Sequence, residues 1–213
     1  SCMDYSPLLR SVLQNLDQWV ADGTPPPPSR HPRLEDGSAQ ESKDVMPSFA
    51  KLPGLNPPER LARAQRLDYG PELEQGHTVT LPALQGAQFP AFVSSLNADL
   101  NEIAGIRLPE LAVPLATYTG WNLRHAERGN PGLFNGITGG LAGSTIPFTA
   151  TRKHRDTSGD PRLSIEERYQ SLEDYLLKLR EAGEALVEEG YLLEEDIERI
   201  AQRSAKIWDA FTP

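Results

Sequence analysis

A single cysteine, Cys2, stands in a chain of 213 residues, which excludes an internal disulfide and any metal cluster held by several thiolates. Long apolar runs are missing too, since no stretch approaches the roughly 20 apolar residues of a membrane-spanning helix. Ser1–Arg10 lacks the basic start and apolar run of a secretory signal. Basic residues are few, 21 Lys and Arg against 30 Asp and Glu. Thirteen acids against seven bases fall in Pro161–Pro213. Nucleic acids are held by clustered Lys and Arg, so neither they nor a membrane is an expected partner. Hydrophobic residues are also scarce, at 38%, where globular chains usually hold about 45–50%. The deficit has two readings: a loop-rich domain, or a segment packed along a larger body.

Catalytic motifs are absent as well. No G-x-S-x-G joins a strand to a helix, and the nearest text, Gly143-Ser144-Thr145, lacks the spacing. There is no P-loop, no G-x-G-x-x-G after a strand and no H-E-x-x-H. His31, His77, His125 and His154 are scattered over loops. The latter two lie in a region rich in Arg124, Arg128, Arg152, Lys153 and Arg155, and such cationic neighbours oppose a metal ion. No catalytic residue, metal or cofactor is expected within the chain.

What the chain does have is punctuation: 19 prolines and 17 glycines. Its centre is Pro114–Tyr169, where glycine recurs seven times between Gly120 and Gly143 among Tyr118, Trp121, Phe134 and Phe148. No run before Ser164 is periodic enough for a helix, while the aromatics argue against disorder. An ordered, Gly-rich loop laid over another surface is the expectation.

Helices flank this centre. Ser6-Pro7 reads as an N-cap followed by proline at the first helical position. Leu8, Leu9, Val12, Leu13, Leu16, Trp19 and Val20 then form one apolar face up to Gly23. Pro25–Pro28 forbid continuation and favour an extended, polyproline-like connector, although such a run can also be a ligand for an aromatic groove. Pro58–Leu67 reads as a short helix and Thr78–Leu84 as a strand. Phe89–Leu96 and Glu102–Leu108, joined by the NADLN turn, read as a β-hairpin near 89–108. Ser164 and Glu167 form a capping box. Leu172–Val187 and Leu193–Phe211 then read as two antiparallel helices joined by GYLLEED. The expected organisation is a helix at 1–23, a loop-rich wrap at 24–163 and a helical hairpin at 164–213, altogether a loop-rich α+β chain.

Candidate ligand contacts gather at Tyr118, Trp121, Asn122 and Arg124. Tyr118 and Trp121 suit the mouth of a pocket for an ester or aromatic ligand, or else anchor the loop. Arg124 or Arg152 suits a bidentate hold on a substrate carboxylate. The bland alternative pairs them with Asp160, Glu166 or Glu167 and so pins the loop to the C-terminal helices.

Four collinear segments resemble the C-terminal region of bacterial alpha/beta hydrolase domain-containing proteins. They are YSPLLRSVLQNLDQWVADGTPPPPSRHPRLEDG at 5–37, NEIAGIRLPELAVPLATYTGWNLR at 101–124, IPFTATRKHRDTSGDPRLSIEERY at 146–169 and EEGYLLEEDIERI at 188–200. The chain departs from the pattern at His31, where relatives carry an aromatic after PPPSR. The resemblance implies an α/β-hydrolase-fold protein that hydrolyses esters through a serine triad. It places the triad before Tyr5, so that residues 1–23 hold the last core helix and the remainder wraps the body. The implied partners are an N-terminal hydrolase portion and a small ester substrate. The alternative, from another class, is a non-enzymatic accessory module that holds a partner protein.

Overall fold

The computed structural model describes residues 3–53, 55, 57–58, 63–123, 125, 127 and 143–213. In chain order the helices are α1 (Ser6–Asp22), α2 (Ser42–Val45), α3 (Pro109–Ala112), α4 (Arg152–Ser158), α5 (Ile165–Arg168), α6 (Leu172–Glu188) and α7 (Glu194–Phe211). The strands are β1 (Ala39–Glu41), β2 (Gln65–Asp68), β3 (Leu84–Gln88), β4 (Phe92–Ser94), β5 (Ala116–Thr119) and β6 (Ser144–Pro147). They pair antiparallel as β1 with β4, β2 with β3, and β5 with β6.

The core sits where α6 and α7 meet the base of the β5–β6 pair. Leu179, Leu186, Ile200 and Ala201 from the two helices close on Leu115, Phe148, Ile165 and Tyr169. The small residue Gly183 lets the helices approach, since a Cβ there would come within 3.2 Å of Ile197. Tyr175 stacks on Trp208 at 5.3 Å between ring centroids, and Tyr169 meets Tyr175 edge-on at 5.0 Å. Ring pairs of this kind contribute about 0.5–1.5 kcal/mol beyond their buried area. The Ser164–Glu167 capping box forms as its sequence predicts, and Ser171 caps α6 by accepting from the Asp174 N–H at 3.2 Å.

Helix α1 is turned the other way from an ordinary surface helix. Part of its polar surface faces inward: Ser11 is buried, and both Ser11 Oγ and Asn15 Nδ2 donate to the Gly190 carbonyl, at 3.0 and 2.9 Å, while Gln14, Asp17, Gln18 and Asp22 stay exposed. Arg10 is paired with the fully buried Asp196 carboxylate at the start of α7. The apolar stripe faces solvent, with Leu13 65% and Val20 79% exposed, alongside Leu9, Val12, Leu16 and Trp19. The helix begins at Ser6 rather than being capped by it; the Asp4 carboxylate accepts the Ser6 N–H at 3.0 Å. The proline segment then crosses the α6–α7 turn as a connector. Tyr191 donates its hydroxyl to the Pro28 carbonyl at 2.5 Å, and Arg30 lies 4.5 Å over the Tyr191 ring.

Several sequence expectations are revised. The chain does turn back at NADLN, but Leu96 and Glu102 form a lone antiparallel bridge, and the strand proper, β4, pairs with β1 instead of with 102–108. Backbone hydrogen bonding explains the change: the Ile103 N–H donates to the Ser95 carbonyl at 3.0 Å, but the Ser95 N–H goes to the Ser38 carbonyl at 2.8 Å, which ties the strand to the β1 side. Asn101 turns its side chain to β5, with Nδ2 donating to the Ala116 carbonyl at 2.9 Å and Oδ1 accepting the Tyr118 N–H at 2.8 Å. Gln65–Asp68 is extended rather than helical because it pairs with β3, which begins at Leu84, where the expected 78–84 strand ends. Residues 59–62 of the expected short helix lie outside the described residues. A helix before Ser164, not expected, is present as α4; none of its residues is buried, so it shows no apolar period, and it is set by its ends. Thr151 Oγ1 accepts from the His154 N–H, and Gly159 closes it at φ +71°.

Arg162 ties the β5–β6 pair to the helices. Its guanidinium is 2% exposed and uses all five donors. Nε and Nη2 donate to the Asp160 carboxylate at 2.9 and 2.6 Å. Nη1 reaches Thr117 Oγ1 and the Ile146 carbonyl at 2.8 and 2.9 Å, and Nη2 also reaches the Pro147 carbonyl at 3.1 Å. Arg162 lies 5.0 Å and Arg168 4.1 Å from the Phe148 ring centre, while Arg168 grips Asp99 with two hydrogen bonds. Arg162→Ala removes the counter-charge of a buried carboxylate and the hydrogen bonds that two strand carbonyls accept from the guanidinium. It is expected to cost about 3–5 kcal/mol in urea unfolding; a loss below about 1 kcal/mol, the scale of an exposed ion pair, would refute this role.

Two carboxylates of this region carry a pH signature. Burial raises the Asp160 pKa, but the hydrogen bonds from Arg162 outweigh it and the net shift is downward. Hydrogen bonds from Ser164 lower that of Glu167. Groups held below their unfolded values stabilise the fold fully above those values, and the contribution is lost as pH falls through the folded ones. Unfolding midpoints should therefore hold near neutrality and decline below about pH 4, the ordinary carboxylate range. The decline should be shallower in Glu167→Gln, and an identical slope in that variant would exclude Glu167 as a source.

Candidate functional site

The end of β5 carries the sequence-predicted contacts, and its position is fixed on every side. β6 pairs along one edge, from Ala116 opposite Pro147 to Thr119 opposite Ser144. Asn101 occupies the other edge, and Thr117 Oγ1 donates to the Asp99 carbonyl at 2.5 Å. Tyr118, half-buried on the strand, lines a pocket of about 260 Å³ with Thr119 and Gly120. The opposite wall comes from other parts of the chain: Met3 and Tyr5 before α1, Glu102, Ile106 and Leu108 from the segment leading into α3, and Leu111 from α3 itself.

Trp121 turns elsewhere. Its ring meets Phe49 edge-on, centroids 5.4 Å apart at 87°. Its carbonyl accepts from Thr119 Oγ1 at 2.6 Å and Ser144 Oγ at 3.1 Å. These contacts tie Trp121 to Phe49, Thr119 and Ser144. Asn122 is half-buried beyond it, and Arg124 lies outside the described residues, as do 128–142 of the Gly-rich segment.

Of the pair singled out in sequence only Arg152 is described, and among the described residues other arginines pin this region. Arg152 sends its side chain toward Asp156, 3.9 Å away within α4, and only its backbone N–H reaches Glu166, at 3.2 Å. Arg155 takes Glu167 at 2.6 Å, and Arg162 takes Asp160. Glutamate and aspartate identities were legible; which arginine reaches them depends on the phase of α4.

At the base of the site lies a second ionic cluster. Arg203 on α7 pairs with Glu110 on α3 at 3.1 Å and with Asp4 at 3.0 Å. Burial pushes the Glu110 carboxyl above the ordinary glutamate range, with Arg203 pulling the other way. A larger cleft, about 340 Å³, runs between the apolar residues of α1 and the prolines, lined by Leu8, Val12, Leu16, Trp19, Pro27 and Tyr191.

Nucleophile and base are not assembled among the described residues. Ser144 Oγ is committed to the Trp121 carbonyl, and no serine hydroxyl meets a histidine there. His77 lies 3.5 Å from Glu72 and His125 3.7 Å from Glu127, both on exposed side chains. Among the described residues, no group of His, Cys, Asp and Glu is placed to hold a metal ion, and no helix is long and apolar enough to cross a membrane. Glu102, Met3 and Tyr5 were not found by sequence reasoning. No local pattern joins them, since the pocket exists only once residues 3–5 lie beside 102–120.

These features describe a loop-rich α+β chain with a pocket at one strand end and no complete catalytic apparatus among the described residues. The chain belongs to the alpha/beta hydrolase domain family, whose model matches residues 1–202, and its function is accordingly hydrolase-like. No curated protein and no solved structure matches it significantly.

The contact of Trp121 with Phe49 is directly testable. A double-mutant cycle of Trp121→Ala and Phe49→Ala in thermal or urea unfolding should show a coupling of about 0.5–1.5 kcal/mol. A coupling indistinguishable from zero would release Trp121 from that contact and return it to the list of ligand-facing aromatics.

Proposed function

We propose that this chain is the C-terminal portion of an enzyme that hydrolyses carboxylic esters through a serine outside residues 1–213. The observation that carries the reading is α1, whose six large apolar side chains Leu9, Val12, Leu13, Leu16, Trp19 and Val20 are exposed while it docks through the polar side chains of Arg10, Ser11 and Asn15. An amphipathic helix is stable when its apolar stripe is covered, and a stripe of this size marks an interaction surface. In this reading residues 1–23 are the last core helix of the hydrolase body, 24–163 wrap that body, and 164–213 form the hairpin that clamps the wrap. Family membership supplies the expectation that the body is an α/β-hydrolase core.

The chemistry would be acyl transfer. The serine oxygen adds to the ester carbonyl, its proton passes to a base, and the alcohol leaves carrying that proton. Water then adds to the acyl-enzyme and releases the acid. The part of this chain is to shape the substrate region, through Tyr118 at the pocket and, beyond β5, Trp121, Asn122 and Arg124. The carbonyl chemistry itself needs none of its described side chains.

The test is to purify the tagged chain from its native cells, with intact masses, and to treat the material with a fluorophosphonate that labels reactive serines. A larger co-purifying chain should take up the label and turn over p-nitrophenyl esters. Leu13→Asp on α1 should abolish its co-purification. Label on a serine within residues 1–213 would overturn the placement of the nucleophile. A co-purifying protein that neither takes up label nor hydrolyses esters would replace this reading by that of an accessory module.

A further inference from the structure

The pocket beside β5 is largely hydrocarbon inside and open to solvent at its mouth. Leu108, 2% exposed, is its most buried wall, and Ile106, Leu111 and Tyr118 stand half-buried beside it. The adjoining Thr119 hydroxyl is engaged elsewhere, donating to the Trp121 carbonyl at 2.6 Å and accepting the Ser144 N–H at 3.1 Å. Tyr5, Glu102 and Gly120 are exposed at the rim. Such a pocket gains free energy by covering apolar surface, while a polar head is best left in water. An apolar cavity of about 150 Å³ holds the six carbons of benzene, so by that scale a volume of about 260 Å³ takes roughly ten.

Gly120 lines this pocket for no reason of backbone geometry. Glycine is required where φ is positive or where another group crowds its Cα, and neither condition holds here. The φ of Gly120 lies outside the left-handed region, and a Cβ built on it would meet no atom within 4 Å. The strand just before it is held in place, since Thr119 pairs with Ser144. The backbone therefore accepts a larger residue at 120, and what such a residue would occupy is open space at the rim of the pocket.

We propose that this pocket binds the alkyl chain of a ligand up to roughly ten carbons long, and that Gly120 sets the length it admits. Leu108, Ile106 and Leu111 cover the chain, the Tyr118 ring closes one side, and the head group stays in water at the rim. The binding stands apart from hydrolysis. Its extension to substrate, an ester carrying such a chain, rests on the hydrolase reading.

The 213-residue chain titrated calorimetrically with the n-alkanols from butan-1-ol to octan-1-ol tests it, since they differ only in chain length. Each added CH₂ is expected to tighten binding about fourfold throughout the series. Gly120→Leu places an isobutyl group at the rim and should level the series near hexan-1-ol. Octan-1-ol should then bind about tenfold more weakly than to the unsubstituted chain, with the thermal unfolding midpoint not lowered. In the unsubstituted chain, octan-1-ol should move the methyl resonances of Leu108 and Leu111. Movement only of Val12 and Leu16, which line the larger cleft beside α1, would overturn the proposal. So would an affinity independent of chain length, or a Gly120→Leu series that matches the unsubstituted one. A lowered midpoint in Gly120→Leu would overturn the role of Gly120, because its side chain would then be meeting the fold rather than the pocket. None of these measurements involves ester turnover, so the hydrolase reading stands or falls separately.

Discussion

The buried guanidinium of Arg162 is the constraint on which the rest of the described structure depends. A short two-stranded ribbon is marginal in water by itself, and β5–β6 is four residues long on each side. Arg162 fastens it by bonding the Thr117 hydroxyl on one strand and the Ile146 and Pro147 carbonyls on the other. Asp160 neutralises the charge at a site where both side chains are almost fully buried. A lysine, with three donors on one nitrogen, has no fork to span these acceptors. The ribbon then presents Phe148 to the helical core, covered by Arg162 on one side and Arg168 on another. Arg168 carries the chain of contacts on to Asp99, and so to the turn whose Asn101 completes the free edge of β5.

That chain of contacts explains why the pocket lies where it does. Tyr118 sits between Thr117, held from below by Arg162, and Thr119, whose hydroxyl bridges the Trp121 carbonyl and the Ser144 N–H. A side chain so placed has little backbone freedom, as a binding wall requires. The ion pairs of Arg203 bring Asp4 against α3 and α7, and with it Met3 and Tyr5. The pocket therefore joins three parts of the chain, each positioned by a different arginine.

Helix α1 shows how one element can be well formed and still incompletely accommodated. Its hydrogen-bonded docking onto the Gly190 carbonyl fixes orientation through polar contacts. Gly190 holds φ +80°, and a Cβ there would lie 3.5 Å from Pro27, so the turn between α6 and α7 is shaped to receive both α1 and the proline connector. With Arg10, Ser11 and Asn15 committed inward, Leu9, Leu13 and Val20 are left facing outward. In the proposed function that outward face is the surface the hydrolase body would cover.

The sequence by itself determined the elements whose signals are local. The apolar stripe with Pro7 and Gly23 specified α1, the Ser164–Glu167 box specified α5, and Ser171 with the Leu172–Val187 period specified α6. Collinear segments carried the family. Tertiary structure decided everything that required a distant partner. The strand at 92–94 pairs with 39–41 rather than with its neighbour, and the next N–H, of Ser95, goes to the Ser38 carbonyl. Trp121 faces Phe49, 72 residues earlier in the chain, and Glu102 meets Tyr5 across a pocket that no spacing encodes. The direction of α1's apolar face was equally invisible, since periodicity defines a stripe and not the side that is buried. Local hydrogen bonds and apolar periods are written within a few residues; counter-charges and pocket walls arise only when separate segments meet.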